Sequence, residues 1–387
     1  MSAGPAPAPT PVSPTPGPPL PAPRGPLSEL LLTALRHPAP TGLPPAALTA
    51  LTAGRTASLA APDPPAVSDP WGEDVQLALY VCYELHYRGF AGVDEEWEWA
   101  PSLLALRKQL ETAFLLALRR AVGRPPPLAE VVAGLLAEPV DGDGPSHHLL
   151  AAGTRPQARE YLVHRSLYHL KEADPQMWAV PRLPNPAKAA LVAVQYDEYG
   201  AGRPERAHAE LFADAMADFG LDPAYGAYLD VVPAPALAVV NTMSLFGLHR
   251  SLRAALVGQF AAVELTSSPG SARLAAAFER LGASPRGTLF HREHVLADAV
   301  HEQLVRRTVL APLLAPAPPS RAAAPSHPED DRRQARRPVG PDCSEAGIAF
   351  GALAHARTED RLAAHLTAAW RAGTSSLRTP LPEERPR

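Results

Sequence analysis

The chain has almost no cysteine. Its two, Cys82 and Cys343, form no CxxC pair and cannot supply a disulfide framework. Stapled secreted scaffolds and cysteine zinc sites are therefore excluded, and a reducing cytoplasm is the expected location. No apolar run approaches the roughly 18 residues of a membrane span. The opening MSAGPAPAPTPVSPTPGPPLPAPRGP has no basic region followed by an apolar one, so no signal peptide is expected. Positive charge is not in surplus: 36 Lys and Arg against 40 Asp and Glu leave a net charge of -4, and no nucleic-acid partner is expected. Alternating strand patterns and Asn-Gly hairpin turns are also missing.

What abounds is proline, with 47 in 387 residues, well above the average of about 5%. The prolines crowd into the first seventy residues and into 312–341. Residues 1–70 read as a disordered Pro/Ala-rich extension, interrupted by a short amphipathic helix at 26–36. The folded body is expected over 71–311, followed by a flexible Pro-rich insertion at 312–341, a C-terminal helix within 342–377 that packs on the core, and a tail at 378–387. Ala/Leu clusters alternating with charge predict helices at 73–89, 101–123, 127–138, 156–173, 187–199, 204–219 and 223–230. Further helices are predicted at 234 to about 264, 271–282, 288–311 and 344–372. The fold class is all-α.

One segment carries chemistry. In His291-Arg-Glu-His294-Val-Leu-Ala-Asp298-Ala-Val-His301, offsets of three, four and seven residues return to one helical face. His294, Asp298 and His301 thus project side by side, and two imidazoles with a carboxylate make half of a two-metal site for iron or manganese. Other segments offer the remainder. Glu198 and His208 flank a Gly/Pro break that lets both point inward; Glu205, three residues before His208, competes with Glu198. Glu264 follows an apolar run, and Glu172 ends a helix before Asp174-Pro175. Glu84 and His86 are a weaker option, because two aromatic neighbours and Arg88 suggest a packed helix with a structural ion pair, and His291 reads as solvent-facing in preference to a group supporting the ligands. Arg203 or Arg206 is placed to hold a substrate carboxylate.

The set Glu198-x9-His208, Glu264 and His294-x3-Asp298-x2-His301 resembles the haem-oxygenase-like diiron oxidases, and in particular the iron-containing redox enzyme family. The phrases that carry the likeness are CYELHYRGF (82–90), HLKEADPQMWAVPRL (169–183), QYDEYGAGRPERAHAELF (195–212), NTMSLFGLHRSLRAALVGQFAAVELTSS (241–268) and HREHVLADAVHEQ (291–303). They cover roughly 71–311, and the closing helix fits as well. The resemblance implies a haem-oxygenase-like helical bundle, with the Pro-rich extension outside it. It implies two iron ions held by Glu198, His208, Glu264, His294, Asp298 and His301, with Glu172 as an additional ligand by position. It also implies O2-dependent oxidation of a small organic substrate by N-oxygenation, desaturation or C–C cleavage. The expected partners are O2, a small molecule and a reductant of unknown identity, with a homodimer as the commonest assembly. Three rivals stand beside this reading: a haem oxygenase with one axial His, a thiaminase-like enzyme using Cys82, and a non-catalytic iron-binding or partner-scaffolding helical protein.

Overall fold

The computed structural model describes residues 17–43, 69–138, 142–314 and 344–384, apart from the side chains of Asp298 and Ala299. Among the described residues there is no β-strand, and the chain is all-α. In order the helices are α1 Pro26–Leu35, α2 Glu73–Glu84, α3 Pro101–Val122, α4 Leu128–Leu136, α5 Pro145–Ala151, α6 Arg155–His169, α7 Asn185–Glu198, α8 His208–Asp218, α9 Ala234–Leu248, α10 Arg253–Arg280, α11 Pro285–Leu304 and α12 Glu345–Arg371. A π-helical turn, Val305–Leu310, prolongs α11. Much of the proline in the body serves these helices, because Pro26, Pro101, Pro145, Pro186 and Pro285 occupy the first or second helical position. There the missing N–H costs nothing and the fixed φ is already helical. Thr154 and Gln157 close a reciprocal capping box on α6, and Ser284 caps α11.

Three helices form the interior. Every residue of α2 from Val75 to Glu84 is buried, as is nearly all of α9 and the first half of α10 as far as Leu265. A helix apolar on all sides must be enclosed on all sides. α10 packs along both α11 and α12, and α9 packs against α2 and α12. No described helix is long and apolar enough to cross a membrane.

Several boundaries differ from expectation. Residues 17–43 are not part of a loose extension. Leu31, Leu32 and Leu35 are fully or almost fully buried in the core. The Asp74 carboxylate accepts from the backbone N–H groups of Leu27 and Ser28 at 2.9 and 2.7 Å, capping α1 from α2. Arg24 pairs with Glu73 at 2.7 Å. The apolar face of α1 thus outweighs the surrounding proline-rich composition. The expected tail is also docked over 378–384, where the Glu384 carboxylate takes both Arg155 Nε and Nη2 at 2.6 and 2.7 Å. Residues 223–230 form turns instead of a helix. α10 runs unbroken through Pro269, although a break before residue 271 was expected. Packing of α11 and α12 along α10 offsets the one hydrogen bond that Pro269 removes. The expected insertion, 312–341, lies outside the described residues beyond Leu314.

The α10–α12 contact fixes the helix that carries Glu264, and it depends on two glycines. A Cβ on Gly351 would overlap the Ala255 carbonyl, and one on Gly258 would overlap the Ile348 carbonyl. Both obstacles are backbone and cannot swing away. Gly351→Ala is therefore expected to lower unfolding free energy by about 1–3 kcal/mol, read by denaturant titration, whereas alanine at Gly134, where nothing lies nearby, should not.

Candidate metal centre

Five elements converge. Glu172 stands in the turn that follows α6, next to Ala173, whose φ of 76° is left-handed. Its neighbour Lys171 turns the opposite way, into a buried pair with Glu84 at 2.8 Å, beneath a Tyr225 hydroxyl that donates to Glu84 at 2.7 Å. That anchor holds the turn and commits Glu172 to the other side. Glu198 is the last residue of α7 and His208 the first of α8. Between them Gly200, Ala201 and Gly202 all have positive φ. A Cβ at Gly200 would lie 2.6 Å from the Ala207 nitrogen, so glycine is required for the chain to double back. The reversal sets His208 Nδ1 2.6 Å from Glu198 Oε2 without hydrogen-bond alignment. Glu264 comes from α10, and His294 and His301 from one face of α11.

These residues form two donor groups. Glu172, Glu198, His208 and His294 make the first; Glu198, Glu264 and His301 make the second. All are buried, and within each group the ligand atoms lie within 4.8 Å of one another. Glu198 belongs to both. Asp298 lies in register between His294 and His301 on α11, but its side chain is outside the described residues. Glu205 is exposed on a separate 3₁₀ turn, Pro204–Arg206, so it is Glu198 that faces His208.

Protons complete the picture. His294 Nδ1 lies 2.8 Å from the Phe290 carbonyl, which can only accept, so Nδ1 carries a proton, and Nε2 lies 3.6 Å from Glu172 Oε1. Burial pushes the Glu172 carboxyl up, but His169 and His294 overcome it and hold the group well below the usual carboxylate range. His169 Nδ1 sits 3.0 Å from Glu172 Oε1, while Glu172 Oε2 is buried without a partner. His301 Nδ1 is 3.1 Å from Glu264 Oε2, and its Nε2 is 3.3 Å from Asp197 Oδ2. Burial disfavours charge on His301, yet the hydrogen bond to Glu264 and the nearby carboxylates raise it to about 9. Burial and the charges of Glu172, Glu198 and Glu264 push Tyr168 well above the usual range, so it stays a neutral phenol.

A small chamber of about 10 Å³ lies between Glu172, Glu198, Glu264 and His294, close to the volume that one water needs. Beside it a larger cavity of about 310 Å³ shares Glu172 and His294 as its wall. Sequence reasoning missed His169 and Asp197; His169-x-x-Glu172 is a helical spacing that could have flagged the first. His291, expected to face solvent, is buried with both ring nitrogens unpartnered. Its offset of three from His294 keeps it on the inner side of α11, against Phe278 and Phe290. Arg206 pairs with Glu293 at 2.7 Å and Arg203 is exposed; neither lines a cavity beside the cluster. Cys82 is buried and its thiol pushed up to about 12, which removes the thiolate that a thiaminase-like nucleophile needs.

A helical bundle that buries carboxylates and imidazoles in two groups sharing one glutamate has a donor set that could hold metal ions. Residues 159–326 match the family described as iron-containing redox enzyme. This segment contains every ligand candidate, and its likeness to that family supports an oxidoreductase. No curated protein matches the chain.

The His301 shift has a consequence for the metal-free protein. Its folded pKa of about 9 exceeds the usual 6.5 or so of an unfolded chain, so the stability it contributes is fully present below about 6.5 and is lost as pH rises through about 9. Denaturant titrations of metal-free protein from pH 6.5 to 9 should show wild type losing at most about 3 kcal/mol relative to His301→Gln. Parallel curves would show that His301 does not carry the extra proton.

Proposed function

We propose that this protein is a non-haem diiron oxidase or oxygenase that uses O2 to oxidise a small organic substrate. The observation that carries the reading is the double membership of Glu198, which gives two adjacent donor groups one common carboxylate. Carboxylates bridge metal pairs, and mixed oxygen and imidazole donors suit iron or manganese. The donor set also needs cations. Glu172, Glu198 and Glu264 are buried together, and among the described residues no lysine or arginine lines the chamber they enclose.

In this reading Glu172, His208 and His294 would hold one ion and Glu264 and His301 the other, with Glu198 available to both and Asp298 a further candidate from α11. Bound there, a pair of iron ions supplies O2 binding and the electrons for its reduction. The chain's own residues do the rest. His169 and Asp197 orient Glu172 and His301 through hydrogen bonds of 3.0 and 3.3 Å. The Phe290 carbonyl fixes the His294 tautomer. Tyr168, on the edge of both cavities, keeps its proton and can offer it in a hydrogen bond there. N-oxygenation, desaturation and C–C cleavage are the reaction classes compatible with this arrangement.

A non-catalytic iron-binding scaffold would not need a cavity against the cluster, and the 310 Å³ cavity bordered by Glu172 and His294 favours the enzyme. The test is anaerobic loading with Fe(II), metal counting, and mixing with O2. Wild type should hold about two irons per chain and change its visible spectrum on oxygenation. Glu198→Ala should lose both irons, whereas Glu205→Ala should keep them. Fewer than one iron in wild type, or full retention by Glu198→Ala, contradicts the reading.

A further inference from the structure

The 310 Å³ cavity is lined from several helices, and its polar groups are unevenly used. Arg165 and Glu359 face each other in a bidentate pair at 2.7 and 2.7 Å. Drawing either away from the other would leave a buried charge uncompensated, which is strongly unfavourable. That pair is therefore a closed wall and not a handle. Arg273 is likewise occupied, donating to Ser146 at 3.0 Å and pairing with Glu138. His291 and His355 differ. Both are more than nine-tenths buried; both His291 nitrogens and His355 Nδ1 have no hydrogen-bond partner. They come from α11 and α12 and line the same cavity. Burial depresses both imidazoles, so each carries one N–H and one lone pair. Unused donors and acceptors at a buried cavity wall are costly until something meets them.

We propose that His291 and His355 are the recognition groups for the substrate: an uncharged molecule with an apolar body and a polar group that both donates and accepts hydrogen bonds, such as an amide or a hydroxyl. The apolar body lies against Met243, Val263, Leu274 and Phe290, and the polar group meets the imidazoles. Because Glu172 and His294 form another part of the wall, a molecule held this way lies beside the first donor group. The assignment deepens the diiron reading and rests on it for the identity of the bound molecule as substrate. It corrects the reading of His291 as a surface residue.

Three probes of similar shape separate the possibilities: benzamide, benzoate and benzylammonium, titrated calorimetrically into the full iron-loaded chain and again into metal-free chain. Benzamide should bind at least about tenfold tighter than either charged probe, the scale of one buried hydrogen bond. His291→Leu and His355→Leu should each weaken benzamide about tenfold with the iron count unchanged, and His291→Gln, which keeps a donor and an acceptor, should retain binding. If His291→Leu does not fold, His355→Leu and His291→Gln still decide. Equal or tighter binding of a charged probe, no benzamide binding, or leucine variants that bind like wild type would each overturn the proposal. Benzamide binding by a chain that takes up no iron on loading would overturn the diiron reading and leave only the ligand-binding role of His291 and His355 standing; two irons without benzamide binding would do the reverse.

Discussion

The structure turns on buried negative charge. Glu172, Glu198 and Glu264 are each more than nine-tenths buried, and their oxygens meet around two groups that have Glu198 in common. Carboxylates cost several kcal/mol each to take out of water, and this is recovered only if opposite charge is close and well placed. The imidazoles offer part of it: His169 holds Glu172 ionised, and His301 carries a proton to about pH 9 against the pull of burial. Lysine is available one residue away, yet Lys171 is spent on Glu84. A cluster built this way could hold cations.

That holding is mechanical. α10 brings Glu264 to a fixed depth because glycines let its backbone touch α12. The left-handed run Gly200–Gly202 folds α8 back on α7, so that one chain reversal brings Glu198 and His208 together. The Lys171–Glu84–Tyr225 network pins the turn from which Glu172 points. α11 contributes two histidines seven residues apart, one to each donor group, through helix geometry alone. The donor residues thus come from secondary-structure elements and their ends, where positions are tightly fixed.

Much of this was legible in the sequence, for reasons that can be named. The α11 face was readable because the helical period is a strong constraint and His294 and His301 obey it. The all-α class followed from Ala/Leu periodicity, and α1 from its apolar stripe. Whether Glu198 or Glu205 meets His208 was open, since both spacings are usable; the 3₁₀ turn at Pro204–Arg206, invisible to periodicity, puts Glu205 in solvent. Glu172 rested on resemblance, because a carboxylate before Asp-Pro ordinarily just ends a helix. The docking of residues 17–43 and 378–384 was missed because composition argued for disorder, whereas Asp74 and Arg155, distant in sequence, supply the bonds. His291 was misjudged because burial of an unpartnered imidazole is costly and therefore a poor first expectation.

The central claim is that Glu198 joins two iron ions. Anomalous diffraction at the iron edge from crystals loaded with Fe(II) tests it directly. The account predicts two peaks about 3.5–4 Å apart, both within bonding distance of Glu198, one beside His208 and His294 and the other beside Glu264 and His301. A single peak, or a pair that does not share Glu198, would contradict it.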